Sequence, residues 1–554
     1  MMKKPALKDM TLREKIAQTM LVRQREIYFK NVDGQWIERT DEEIYELMDK
    51  NQFGGLWVLG NFKLDFEGLT ETNEVKKPHS DEYKAWIEKI SQALKIPILV
   101  GLDAARGAGM FSNTSRTCGA LSIGATDDLD LAYDLTNAIA KELRACGANW
   151  HWYPVADVPG RFKNRGRVVS EDPEKIISFS KVMAKALSDE NVASTVKHFP
   201  GKDPYETRDS HIVTSEMSLS LPEWWETQGR VFQEIIDSGV YSVMVGHKVF
   251  AAVDDGKIDG KGIPSTLSKK VITDLLKGEM GFKGVVVTDS IGMGGVQGYF
   301  SRDQLLVELL KAGNDVILGA NINCVDVVEK AVLAGELSEE RIDDACQRVL
   351  DMKEKIGMFE DDYQIGTDFT EEMQANTLRI NREVSDRSIT LVRDRANLLP
   401  LSKDKIKKVA IVVSTHRDVI MRSIEVTKKE FEKRGATVHV QRRIKSKNEM
   451  AELAENYDLI LYATYLAVHA PKGAVSFYDE EFETFMHALS FGREKSIGMS
   501  MGDPFIHYNF LANINTFVNL YSHSREVQEA FVAGLYGEMP FKGVSPVALT
   551  PRDR

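Results

Sequence analysis

The chain has 554 residues, with 71 lysines and arginines against 83 aspartates and glutamates, a formal charge of −12, and 43% hydrophobic residues. That length allows two to four domains with enough apolar content for a core in each. The acidic balance excludes the concentrated basic face that a nucleic-acid partner demands. The four cysteines, Cys118, Cys146, Cys324 and Cys346, are widely spaced, so neither a disulfide framework nor a zinc cluster is expected, and they read as small buried apolar groups.

In chain order, Met1-Met2-Lys3-Lys4-Pro5 is followed by Lys8 and Asp9 rather than by an apolar run, so a signal peptide is not expected. Nowhere do about 18 consecutive apolar residues occur, and the expectation is a cytoplasmic protein with no membrane partner. Thr11-Leu12-Arg13-Glu14 reads as a capping box opening a helix that carries Leu12, Ile16 and Met20 on one face. Short β-like runs follow at 55–58, 98–102, 150–158, 193–196, 241–245, 284–288 and 316–318, with amphipathic stretches between them at 129–146, 176–187 and 268–280. Continuous apolar strands separated by helices are parallel strands buried on both faces. Seven such units over about 350 residues favour a (β/α) barrel over a shorter doubly wound sheet.

The pattern breaks at Glu360-Asp361-Asp362, and a helix-like segment then runs to Leu398-Leu399-Pro400-Leu401. A second α/β set follows, with apolar runs at 409–413, 459–463, 497–501 and 517–521. The expected organisation is an N-terminal (β/α)8-type, TIM-like barrel over 1–365, a connector over 366–400 and a smaller α/β sandwich domain over 401–554. Three roles stay open for that second domain: closing over the barrel rim, mediating a homodimer, or packing beside the barrel.

In a barrel, side chains just past the C-terminal ends of the strands converge on one rim, where active sites sit. Asp103 follows the run 98–102, Lys197 and His198 follow Thr195-Val196, His247 follows 243–246, and Asp289 follows 285–288. Any one of these is as easily a cap or turn residue; five on one rim are harder to explain that way. Other signals fail. Gly292-x-Gly294 is not completed, because position 297 is Gln, and neither H-E-x-x-H nor G-x-S-x-G occurs. Histidines are scarce and unclustered, so no metal and no cofactor is expected. In a chain with 83 acidic residues and 11 histidines, an acid-x-His triplet arises by chance, so Asp209-Ser210-His211 carries weight only through its surroundings.

Those surroundings are specific. Lys197-His198-Phe199-Pro200-Gly201, a polar loop, and then Asp209-Ser210-His211 resemble the signature of the β-N-acetylglucosaminidase branch of glycoside hydrolase family 3. So do Ser242 through His247, Pro264-Ser265-Thr266-Leu267-Ser268, and Gly281-Phe282-Lys283-Gly284 running into Thr288-Asp289-Ser290. The segment 167–173 resembles the family's arginine loop, and 388–394 and 537–543 resemble the opening and closing segments of its second domain. The resemblance covers nearly the whole chain in the expected order.

The resemblance implies a retaining, exo-acting β-N-acetylhexosaminidase that removes terminal β-linked N-acetylglucosamine from a small carbohydrate. It casts Asp289 as nucleophile and His211 as acid/base, held and polarised by Asp209. It carries over Asp103, Arg167, Lys197 and His198 as sugar binders. Because the loop 201–211 is polar and long, it is expected to move and bring the dyad over the bound sugar. The chemistry is sensible independently. An aspartate is ionised at neutral pH and can attack an oxocarbenium-like centre, while an imidazole both donates and accepts protons there. Two departures stand out. The family's His-Gly after the Phe-Pro-Gly turn is Lys202-Asp203 here, and the arginine expected eight residues after Asp103 is Phe111, so that sugar contact is either lost or taken over by Arg106. Alternatives remain: a phosphorylase, in which phosphate replaces water; a β-glucosidase or β-xylosidase, with a catalytic glutamate from the second domain and a dispensable His211; and a sugar-binding module with degenerate catalysis, which the intact nucleophile and dyad oppose.

Overall fold

The computed structural model describes residues 3–58, 78–159, 167–206, 208–415, 417–466, 479–488, 490–509 and 511–549. The first large sheet has eight strands, Met20–Arg23, Gly55–Trp57, Leu99–Leu102, Trp150–His151, Ala193–Phe199, Ser242–Val245, Val285–Thr288 and Ile317–Ala320. Each is parallel to its neighbour, and the last pairs with the first through Met20 and Ile317. A bridge between Val287 and Val316 nearly closes the ring. The N-terminal region is thus a (β/α) barrel, as the alternation of apolar runs and amphipathic helices leads one to expect.

One strand was hidden in the sequence. The capping box at Thr11 is present, but the helix Leu12–Gln18 ends two residues before Met20, which opens the first barrel strand. Met20 therefore shares no helical face with Leu12 and Ile16. A helix and a strand separated by one residue cannot be resolved by periodicity alone. The run 150–158 is likewise mostly not strand. Only Trp150–His151 pairs fully, and the chain beyond turns across the rim, touching the barrel again where Val155 bridges Lys197.

The second sheet has six strands, ordered Thr390–Asp394, Thr516–Asn519, Ser496–Ser500, Leu459–Thr464, Lys408–Ser414 and Thr437–Gln441. Its first strand is antiparallel to its neighbour and the rest are parallel. Alternation along Lys408–Ser414 builds two layers. Val409, Ile411 and Val413 face the helices Glu425–Lys433 and Arg525–Leu535, and Ala410 and Val412 face Met450, Leu453 and Phe485 on the other side. The helix Glu371–Ser388 joins the two sheets. From it Asn381 accepts the Cys118 N–H at 2.8 Å, Arg387 pairs with Asp128 at 2.7 Å, and Arg382 reaches Glu529 of the second layer at 2.9 Å. Near its end the chain returns to the barrel, where the Pro546 carbonyl accepts Ser170 Oγ–H at 2.7 Å and Glu171 accepts the Ala548 N–H at 2.7 Å. The segment that follows Arg167 is clamped in this way.

Candidate active site

Past the third strand, Asp103 projects into the barrel mouth and meets two cations with the same oxygen. Lys197 Nζ, at the end of the fifth strand and only 2% exposed, lies 2.8 Å from Asp103 Oδ2, and the Arg167 guanidinium reaches that oxygen from the fourth-strand loop. Burial alone would raise the Asp103 carboxyl, but Arg167 and Lys197 outweigh it and hold the carboxyl below the usual carboxylate range. Burial pulls the Lys197 ammonium down, with Asp103 opposing. Beneath them His151 stacks on Tyr153 with ring centroids 5.4 Å apart, and burial pushes its imidazole down to about 4, so it is neutral at physiological pH.

His198 is seated by a residue that sequence reading passed over. Its Nδ1 lies 2.9 Å from Asp157 Oδ2, and its backbone N–H donates to Asp157 Oδ1 at 3.1 Å. Asp157 sat inside the apolar run read as strand; because the strand stops at His151, it stands instead on the rim. Position past a strand's end was the available signal. Burial lowers the His198 imidazole, with Asp157 opposing.

His247 is fully buried and tied on both nitrogens. A backbone carbonyl can only accept, so Nε2–H donates to Ser290 O at 3.0 Å, and Nδ1 accepts from Thr266 Oγ1 at 2.9 Å. This ring, whose proton affinity burial lowers, fixes the backbone just beyond Asp289. Asp289 follows the seventh strand, donates its own N–H to Val245 O at 2.8 Å and accepts the Ser290 N–H at 2.7 Å. Burial works against its charge, yet His198, His247, the Ser290 amide and His211 together hold its carboxyl below the ordinary value. It is poised as an anion.

The dyad loop is anchored from two sides. Asp203, 1% exposed, accepts the backbone N–H groups of Tyr205, Glu206 and Ser218 and the Ser218 hydroxyl, each at 2.6 Å. The departure from His-Gly at this point therefore supplies the loop's internal scaffold. Downstream, Gly295 N–H donates to Ser210 O at 2.9 Å and Gly294 N–H donates to His211 O at 3.0 Å, joining the loop to the segment that follows Asp289. A Cβ on Gly294 would lie 2.1 Å from Ile212 O, so only glycine permits this approach.

Asp209 Oδ1 takes the His211 Nδ1–H at 2.7 Å and the His211 backbone N–H at 2.9 Å. A carboxylate can only accept, so Nδ1 carries the hydrogen and Nε2 is left to take up or release a proton. The hydrogen bond to Asp209 raises the His211 imidazole above its ordinary value; Asp289 also raises it, while burial and Arg167 oppose. Asp209 and Asp289, the carboxylates that raise this ring most, both stand on the barrel.

The residues singled out by sequence thus meet at one mouth: Asp103 with Arg167 and Lys197, His198 and His247 beside Asp289, and the Asp209–His211 pair on a loop hydrogen-bonded to Gly294 and Gly295. Phe111 is 1% exposed and packs against Tyr83, centroids 5.2 Å apart, so it serves the core at the place where an arginine was expected. The described helices include none long and apolar enough to cross a membrane.

Residues 11–352 match the Glycosyl hydrolase family 3 N terminal domain. Over 559 aligned residues, covering 92% of this chain and 95% of the relative, the chain is 26% identical to a beta-N-acetylglucosaminidase/beta-glucosidase of Cellulomonas fimi. Two solved structures share its fold. One is the beta-glucoside phosphorylase BglX, with a TM-score of 0.81 and 23% identity over 98% of this chain and 94% of that one. The other is a glycoside hydrolase family 3 beta-N-acetylglucosaminidase from Paenibacillus sp. str. FPU-7, with a TM-score of 0.77 and 23% identity over 98% of this chain and 99% of that one.

Proposed function

The chain belongs to glycosyl hydrolase family 3, and on that premise we propose that it is a retaining, exo-acting β-N-acetylhexosaminidase that removes terminal β-linked N-acetylglucosamine. The observation that carries this reading is the pairing of an ionised Asp289 with a His211 ring whose Nδ1 is held by Asp209 and whose proton affinity that carboxylate raises.

In the first half-reaction the Asp289 carboxylate attacks C1 of the bound sugar while His211 Nε2–H protonates the departing oxygen. The C1–O bond breaks and a glycosyl ester on Asp289 forms. In the second, the now neutral Nε2 takes a proton from water as its oxygen attacks C1, the ester bond to Asp289 breaks, and the stereochemistry at C1 is retained. Asp209 fixes the tautomer and favours the imidazolium that the first step needs. Asp103, Arg167 and Lys197 present a carboxylate between two cationic donors, a set suited to adjacent sugar hydroxyls. His198, oriented by Asp157, adds a ring nitrogen. Turnover of a chromogenic β-N-acetylglucosaminide, compared with the β-glucoside and β-xyloside and repeated for Asp289→Asn, tests the assignment. A faster β-glucoside with a dispensable His211 would point to the glucosidase alternative.

Phosphorolysis is the second reading, and the neutral acid/base favours it. After donating its proton His211 carries no charge, so an incoming phosphate meets less repulsion than a catalytic carboxylate would exert. Product analysis with and without inorganic phosphate separates glycosyl phosphate from free sugar.

A further inference from the structure

Arg23 ends the first barrel strand and points inward. Along Met20–Arg23 it lies two residues from Leu21 and so shares the face of that side chain, which packs in the barrel interior with Leu99, Val285 and Leu318. Its guanidinium carbon stands 5.1 Å from the centre of the Trp57 ring. A Cβ on Gly292 would lie 2.4 Å from its Nη2, and one on Gly319 would lie 3.5 Å from its Nε. The guanidinium thus occupies a slot between a tryptophan face and two glycines on the catalytic rim. Its Nε is buried and has no hydrogen-bond partner, and no ion pair engages the group among the described residues. The nearby Glu26 is already taken up by Arg302 at 3.5 Å and by the Ile322 N–H at 3.2 Å. Arg25 and Arg302 add further positive charge, and burial holds the Arg23 guanidinium below its ordinary value.

A buried Nε–H without an acceptor costs stability, while the two Nη groups, open at the mouth, can receive a ligand. The planar guanidinium fork matches the two oxygens of a carboxylate or a phosphate. Its place on the rim says which part of a ligand it meets. Gly292, against which it lies, is two residues from Gly294, whose N–H donates to His211 O at 3.0 Å. A group that leaves under protonation by His211 departs along this edge of the mouth.

We propose that Arg23 binds an oxyanion carried by the leaving group, so that the preferred substrates are glycosides whose aglycone bears a carboxylate or a phosphate. The inference rests on reading His211 as the residue that protonates the leaving oxygen.

Its test compares kcat/KM for phenyl, 4-carboxyphenyl and 4-phosphonooxyphenyl β-glycosides of whichever sugar the enzyme turns over, in wild type, Arg23→Lys and Arg23→Met. Dividing charged by neutral substrate within each protein, then wild type by variant, cancels the leaving-group acidity. The expected result is a charged-over-neutral ratio on the order of tenfold higher in wild type than in Arg23→Met, with Arg23→Lys between them. The carboxylate and phosphate arms tell which oxyanion is read. Calorimetric binding of 4-hydroxybenzoate, phenyl phosphate and inorganic phosphate needs no turnover, so it stands even if the hexosaminidase reading fails. Equal ratios in wild type and Arg23→Met would overturn the proposal. So would binding of inorganic phosphate alone, because that places the anion with an attacking co-substrate.

Discussion

One oxygen of Asp209 receives two hydrogen bonds from His211, the ring Nδ1–H at 2.7 Å and the backbone N–H at 2.9 Å. The contact sets ring orientation and tautomer together, and it raises the proton affinity of the imidazole. In Asp209→Asn the amide can still accept a hydrogen bond but carries no charge. The kcat for a poorly activated glycoside is expected to fall about 10²–10⁴-fold, in line with losing an oriented acid/base. Glycosides of acidic phenols, which leave without help, should lose far less. Rates across a series of leaving groups check this.

The same contact has a consequence in pH. His211 must be protonated to donate in the first step, so kcat/KM falls as pH rises through the folded-state pKa of the ring. Asp209 holds that pKa above the unperturbed value near 6.5. The alkaline limb of the wild-type profile should therefore lie above that value, and Asp209→Asn should move it to lower pH. A limb that stays in place in the variant would assign it to another group.

Asp203 organises the loop that carries the dyad. Replacing it with alanine strips partners from three backbone N–H groups and a hydroxyl, at roughly 1–3 kcal/mol for each group left buried and unsatisfied. Asp203→Ala should lower kcat by at least about tenfold through misplacement of His211, and proteolysis should cut the loop sooner than in wild type.

Gly294→Ala reaches the same loop from the other side. Its new methyl would stand 2.1 Å from Ile212 O and 2.6 Å from Ile212 C, both backbone atoms. The two segments must separate, at about 1–3 kcal/mol. Reduced activity with a lowered melting temperature is the expected pair of results.

Far below the mouth, Lys353 is fully buried, with Nζ hydrogen-bonded to Gln18 Oε1 at 2.6 Å. Burial pushes its ammonium down to about 7, against about 10.4 in an unfolded chain. Between those values the unfolded state binds the extra proton, so this residue makes stability rise with pH from about 7 to about 10. Below that window the full cost of the buried charge is present. Lys353→Met should raise the melting temperature most below pH 7, with the gain shrinking toward pH 10.

Much of this architecture was legible in the sequence, because parallel strands buried on both faces appear as unbroken apolar runs, and 285–288 and 409–413 announce themselves. Met20–Arg23 did not, since its residues continue the apolar spacing of the helix before it. Thr437–Gln441 was missed because an edge strand with one wet face alternates polar and apolar residues. Asp289 and His211 stood out through their motifs. Asp157 and Asp203 did not, because each acts by holding another group, through contacts that form only when distant segments meet. Arg23 lies within a strand that the apolar spacing hides, and the unpaired Nε of its guanidinium has no counterpart in composition or spacing.

The central claim is a glycosyl ester on Asp289, and trapping it is the most direct measurement. Incubation with a 5-fluoro-N-acetylglucosaminyl fluoride, whose fluorine slows both steps, followed by peptide mass spectrometry should place one sugar on the peptide containing Asp289 and none in Asp289→Asn. A sugar found on another residue, or undiminished turnover by Asp289→Asn, would contradict the account.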